Sequence, residues 1–361
     1  MEDTALRRVK LTIRISGSGD YVGNKTPFPY VYISDALSQN ILYHCYEKPK
    51  TVEELSKLCG VPSYYIEDAL SNLITREAVS EPHKGYFRTE FVILSDKISA
   101  YEQKNRAMFD RITEDFIAAL KELAKKTEKL GIYTAGKSSD ALLYLYGVLV
   151  LEHFGYAKNL NPYSEYPVKY DGNRWCYRGY TQEYTSKTFG RECSMNLGSR
   201  GHYSHISYRF NKFAYRRMML DTEINVCEDI LTGADVADKE SAAHAIEEEF
   251  IKRNSDGTLT VTVPAFTFEQ KNVFDNITDE IFACNGDDSI INKYAKTLRA
   301  YINGYTELFP THLKDDAERF GHYMYVAAVD FVYECAQERG LLITPGDGSI
   351  CDVLIQTKTV K

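Results

Sequence analysis

The sequence predicts an α+β fold on three observations. Apolar and polar residues alternate with period two over 9–15: Val9, Leu11, Ile13 and Ile15 face one way and Lys10, Thr12 and Arg14 the other. That is the pattern of a half-buried strand. Three helical patterns follow within 33–77, separated by only a few residues and trailed by a hairpin signal. Between the helical stretches, 166–213 turns to aromatic, glycine and basic residues in short alternating runs, which reads as an irregular sheet.

With 361 residues the chain has room for two or three domains of roughly 100–200 residues each. Hydrophobic residues at 44% and charged ones at 26% build cores and exclude disorder of the whole chain. Tyrosine is abundant, 28 against 17 Phe and a single Trp, so many rings should sit half-buried with a wet hydroxyl. The longest apolar run, 141–151, is short of the roughly 20 residues of a membrane helix. The first residues lack the apolar segment of a signal peptide. Eight cysteines without a Cys-x-x-Cys pair suit free thiols in a reducing cytoplasm better than disulfides or zinc. Charge comes in blocks. Residues 165–217 hold ten Lys/Arg against four Asp/Glu, and 221–292 hold four against seventeen, so the two segments are expected to pack together.

In chain order, 16–26 is a loop, and Pro27 and Pro29 stop a helix from following it directly. The first helix, 33–46, gathers Ala36, Leu37, Ile41 and Leu42 on one face. The second, 51–60, opens with Thr51 and Glu54 as a capping box and closes at Gly60. The third, 63–77, takes Ser63 as N-cap and buries Ile66, Ala69, Leu70, Leu73 and Ile74. Residues 78–80 and 86–88 flank a turn as a hairpin. A long helix over 96–130 carries Ile98, Met108, Ile112, Phe116, Leu120 and Leu123 on its stripe, and 138–156 is a more buried helix. Helices return over 221–254 and 272–339, with short strands near 259–268, a break at Pro310 and a closing strand pair over 341–357. The helix–hairpin arrangement of 33–95 recurs more weakly at 221–268.

Residues 34–94, with a helix-turn-helix over 51–73 and a hairpin over 78–88, resemble the winged helix-turn-helix domain. The resemblance is closest to modules appended to some bacterial sigma factors and to repressors of the metal-sensor and multidrug-resistance kinds. It covers about one-sixth of the chain. It implies a third helix laid in the DNA major groove and a wing over the backbone. Carried over by position, the DNA contacts are Ser63, Tyr64, Tyr65, Ser71 and Asn72 on the helix and His83, Lys84 and Arg88 on the wing. Glu67 and Asp68 share the exposed face, repel phosphate and have few cations to offset them, so weak binding per protomer is expected. Winged helices also serve as protein-binding modules.

Gly131, Gly136, Lys137 and Ser138 satisfy the P-loop string. The residues before them, 118–130, read as helix, so the string lacks the strand a P-loop hangs from and is better read as an interhelix turn. A second glycine-rich stretch, 17–26, follows a strand but has no helix after it. His202, His205 and Cys193 lack the paired spacing of a metal site. Glu247, Glu248 and Glu249 are a solvated run, and no nucleophile–base set assembles. No catalytic, cofactor or metal residues are therefore expected. Trp175, Tyr177, Arg178 and Tyr180 are the ligand-pocket candidates, against the plainer reading of a sheet core with a charged outer face.

These readings assemble into an arm (1–32), a winged helix-turn-helix (33–95), a linking or dimerisation helix (96–130) and a larger mixed α/β domain (131–361). The last would sense a small-molecule effector or bind a partner, and would hold a second, degenerate winged-helix-like unit at 221–268. The function expected is a cytoplasmic, homodimeric transcription regulator that binds DNA, away from membranes and without enzymatic activity. The competing reading is an interaction module acting on the transcription machinery without touching DNA; a P-loop nucleotide-binding protein is third.

Overall fold

The structure, a computed structural model, describes residues 9–18, 29–156, 166–184, 192–209, 217–323, 328–342 and 352–357. It is mixed α+β. Strand β1 (Leu11–Ser18) buries Leu11 and Ile13 and exposes Thr12 and Arg14, as the alternation predicts. Helix α1 (Ala36–His44) is capped by Asp35, whose carboxylate accepts from the Leu37 and Ser38 amides. Helix α2 (Val52–Cys59) has the expected capping box of Thr51 with Glu54 and ends at Gly60 with φ 64°.

Helix α3 (Ser63–Thr75) departs from expectation twice. Pro62 is the N-cap, so Ser63 is already the first helical residue. Ile74 is 40% exposed, because the buried line runs through Ile66, Leu70 and Leu73 and leaves 74 on its flank. Strands β2 (Val79–His83) and β3 (Tyr86–Thr89) form the hairpin around Gly85 at φ 81°, with a register shift between Ser80 and His83 where Pro82 cannot donate. Lys50, between α1 and α2, exchanges both backbone hydrogen bonds with Phe87, at 2.9 and 2.8 Å.

The helix expected over 96–130 is broken. After β4 (Ile93–Leu94) come α4 (Asp96–Asn105), a 3-10 turn at Arg106–Phe109 and α5 (Asp110–Thr127). Only Ile98 and Glu102 of α4 are buried, so no continuous apolar stripe holds it in line with α5. Arg106 at the break pairs with Glu334 (2.9 Å) and Glu338 (2.8 Å). Next come the buried α6 (Ser139–Tyr156), β5 (Arg174–Thr181), β6 (Glu192–Leu197) and β7 (Tyr203–Arg209). Then α7 (Asp221–Thr232) and α8 (Lys239–Glu247) precede the short strands β8 (Ile251–Arg253), β9 (Leu259–Val261) and β10 (Ala265–Phe266). Helices α9 (Phe268–Phe282), α10 (Ile290–Thr306), α11 (Lys314–Tyr323) and α12 (Ala328–Glu338) lead to β11 (Asp352–Gln356).

Two compact units result. The first takes 1–105, 161–187 and 300–323; the second takes 106–160, 188–299 and 324–361. This division differs from the four-segment reading, since 96–130 is cut at 105/106 and 131–361 contributes to both units. The sheet expected over 166–213 is likewise divided. In the first unit β5 lies between β1 and β4, antiparallel to the former and parallel to the latter. In the second unit the order is β10-β11-β7-β6.

The apolar stripe of α5 is covered within the second unit. Phe116 meets Phe282 and Tyr294, and Phe109 just before the helix stacks on Phe331. Gly147 on α6 lies under the Tyr333 hydroxyl, where a Cβ would clash with it, and that hydroxyl donates to the Leu143 and Tyr144 carbonyls. Only the part of the basic block that belongs to the second unit meets the acidic block here, since 165–187 belongs to the first unit. Arg200 pairs with Asp229 and His202 with Glu228, while Arg217 holds Glu223 and Glu248.

The weak internal repeat is a one-to-one backbone correspondence of 73–94 with 245–266. The Ala78 amide donates to the Leu73 carbonyl, and the Phe250 amide to Ala245; Glu90 donates to Ala78, and Thr262 to Phe250. Glu77 and Glu249 both take positive φ, as do Gly85 and Gly257. Strand β4 runs parallel to β5 (Ile93 opposite Gly179), and β10 parallel to β11 (Ala265 opposite Leu354). The central strand then pairs antiparallel with the strand that precedes the helices, β1 in the first copy and β7 in the second.

Candidate recognition surface

Helix α3 presents a continuous exposed face. Its inner line is apolar, so the residues a helical turn around from it, Tyr64, Glu67, Asp68, Ser71 and Thr75, point to solvent, with Tyr65 beside them. Tyr64 is 56% and Tyr65 51% exposed. Their rings lie 4.2 Å apart between centroids, and a side-chain hydrogen bond with Tyr65 raises the Tyr64 phenol above its ordinary pKa. No lysine or arginine occurs on this helix.

The other DNA-contact candidates are dispersed. Ser63 is half-buried, and Ser71 is exposed. The Asn72 amide donates to the Tyr32 carbonyl at 2.8 Å, which commits it to holding the chain before α1. His83 and Lys84 are exposed at the hairpin turn. Arg88 is half-buried and paired with Glu90 at 2.7 Å, and Glu90 also accepts from Ser80. Its charge is thereby neutralised within the hairpin. The helix brings five candidates onto one element, and the hairpin keeps a single solvent-facing lysine at its turn.

Exposed apolar residues that the sequence reading assigned no role also lie on these helices: Tyr43 on α1 and Leu58 on α2. Both fall off the buried stripes of their helices, and that helical phase is the sequence signal for their exposure.

The four ligand candidates fall on two faces of β5. Trp175 is fully buried and Tyr177 nearly so, in edge contact at 4.7 Å between centroids, on the face shared with Gly179 and Thr181. The indole N–H donates to the Asp171 carboxylate at 3.0 Å. Arg178 and Tyr180 point the other way, Arg178 over the Phe320 ring at 5.0 Å and Tyr180 beside Tyr184 at 5.7 Å. Strand alternation separates the set, so the four do not converge on one pocket.

The P-loop string is a turn between α5 and α6. It follows a 3-10 turn at Glu128–Leu130 instead of a strand, with Gly131, Ala135 and Gly136 at positive φ. Tyr133 bridges to Ala265 of β10, its carbonyl accepting the Ala265 amide at 2.8 Å. Gln270 donates to the Leu130 and Gly131 carbonyls. These bonds dock the turn on the sheet edge.

Among the described residues no three metal-ligating side chains cluster, and no helix is long and apolar enough to cross a membrane. No protein family, curated protein or solved structure matches this chain.

Proposed function

We propose that this protein is a regulator of transcription in which residues 36–94 form a winged helix used as the recognition module, contacting a protein of the transcription machinery. The observation that supports the reading is the Lys50–Phe87 bridge. It ties the hairpin to the segment between α1 and α2, while α3 packs inward through Ile66, Leu70 and Leu73 and turns its other face to solvent. The open face holds Glu67 and Asp68 and no cation, which favours a protein surface over phosphates. A second reading, direct DNA binding, is supported by His83 and Lys84, both exposed at the wing tip.

Crosslinking the full chain in its host and sequencing the recovered DNA tests the regulator reading. Enrichment at promoters is expected; uniform recovery ends it. The purified chain on promoter duplexes then separates the two contact modes. Absence of a salt-sensitive complex favours protein contact. A complex that weakens steeply with salt, and at every sequence in Lys84→Ala, favours DNA.

A further inference from the structure

We infer that the first turn of α3, Tyr64 and Tyr65 with Asp68 beneath them, is a docking surface for a basic, amphipathic protein segment: an apolar side chain seated on the two rings, with lysine or arginine beside it. The inference rests on reading 36–94 as a recognition module and names the partner chemistry of that module.

The internal repeat supplies the main argument. In the register that matches 73–94 to 245–266, Tyr64 and Tyr65 correspond to Val236 and Ala237, which lie before α8 begins. Helix α8 is a turn shorter than α3, so the second copy builds the same hairpin and parallel strand without that first turn. Val236 in that copy is half-buried and packs on the core, whereas Tyr64 and Tyr65 stay more than half exposed. The scaffold does not need the two rings. Large rings held side by side in water are the composition of a contact anchor, since tyrosine brings much area for little lost rotamer freedom.

Charge fixes the partner's sign. The solvent face of α3 carries two carboxylates and no cation; on α2 Glu53 and Lys57 are both exposed, and Glu54 is engaged by Lys50 at 3.5 Å and by the Thr51 amide. A nucleic acid backbone is repelled by such a face, and a cationic segment is steered to it. Leu58 near the end of α2 is a further exposed apolar side chain of the same module.

The test uses the full chain and fluorescence anisotropy with three labelled probes: a lysine–leucine amphipathic peptide, a lysine–serine peptide of equal charge, and a DNA duplex. The lysine–leucine peptide should bind, and Tyr64→Ala and Tyr65→Ala should each weaken it by about thirtyfold or more, the size of an interface hot spot. Asp68→Lys should weaken it as well. Glu240→Lys, the same charge reversal at the corresponding position of α8, should leave it unchanged. All four sites are exposed, so unchanged melting temperatures separate lost contact from lost fold. Equal binding of the lysine–serine peptide, or equal effects of Asp68→Lys and Glu240→Lys, would reduce the interaction to net charge and overturn the proposal. DNA binding that Tyr64→Ala abolishes would overturn it too, while leaving the regulator reading standing in its second form.

Discussion

Glu77 and Glu249 occupy the same place in the two copies of the helix–hairpin arrangement. Each follows a helix C-terminus, takes a left-handed backbone (φ 54° and 60°), and donates its amide to the carbonyl three residues back, Ile74 or Ile246. The next residue, Ala78 or Phe250, sends its amide to the carbonyl five back and is buried. The left-handed residue is what turns the chain from helix into strand while its neighbour enters the core.

Because neither residue is glycine, both carry the strain of that conformation. Glu249→Gly should therefore stabilise the protein by about 0.5–1 kcal/mol, the relief exceeding the extra entropy of glycine in the unfolded chain. Glu249→Val should destabilise by at least as much. Denaturant midpoints compared with the parent check both, and a glycine variant less stable than the parent would refute the strain argument.

Local chemistry is why part of this fold was legible in sequence. Thr51, Glu54 and Gly60 set the limits of α2 by bonds that span no more than a turn, and the alternation of 9–15 set the buried side of β1. What was not legible is long-range. Nothing local says that β4 will pair with β5 across more than 80 residues, or β10 with β11, or that α4 and α5 will belong to different units. The candidate surface divides the same way. Tyr64 and Tyr65 follow from helical phase, whereas the capture of Arg88 by Glu90 and of Asn72 by the Tyr32 carbonyl appears only once the chain is folded.

The buried carboxylate of Glu223 gives a second prediction. It has no solvent exposure and is met by Arg217 at 2.5 and 2.8 Å, by the His244 Nδ1 at 2.9 Å and by the Leu220 amide at 2.7 Å. Arg217→Ala leaves that charge inside without its main partner and should cost about 3–5 kcal/mol. Glu223→Gln, which keeps the hydrogen-bonding shape and removes the charge, should cost less. A loss below about 1 kcal/mol for Arg217→Ala in urea unfolding would show the pair to be solvated.

Thiol reactivity gives a third. Burial pushes the Cys45 thiol up to about 12 and Cys59 up to about 11, so almost no thiolate is present at either near neutrality. Cys176, also pushed up to about 11 by burial, behaves alike. Cys284 is exposed. Iodoacetamide at mildly alkaline pH should label Cys284 before Cys45, Cys59 and Cys176, and reach those three only after unfolding, as read by peptide mass mapping. Native-state labelling of Cys45 or Cys59 at a rate matching Cys284 would mean that the helices around them open freely.

The last prediction decides between core and pocket for the aromatic strand. The chain has a single tryptophan, so its fluorescence reports Trp175 alone. The indole is fully buried, edge-on to Tyr170 and Tyr177, with its N–H on Asp171, and the Lys169 amine lies 5.8 Å above the ring. A ring packed in that way should emit at short wavelength and resist iodide and acrylamide until the first unit unfolds. Trp175→Ala should cost about 3–5 kcal/mol, the usual penalty for removing a large buried aromatic. Trp175→Phe should cost less, because it keeps most of the volume, although it gives up the Asp171 bond. A ligand pocket lined by Trp175 predicts the opposite: quenching in the native state, and a truncation that changes ligand response more than stability. Native quenching by acrylamide would therefore restore Trp175 and Tyr177 as pocket residues. Its absence, with a large loss of stability in Trp175→Ala, assigns them to the core and moves any effector search to other surfaces.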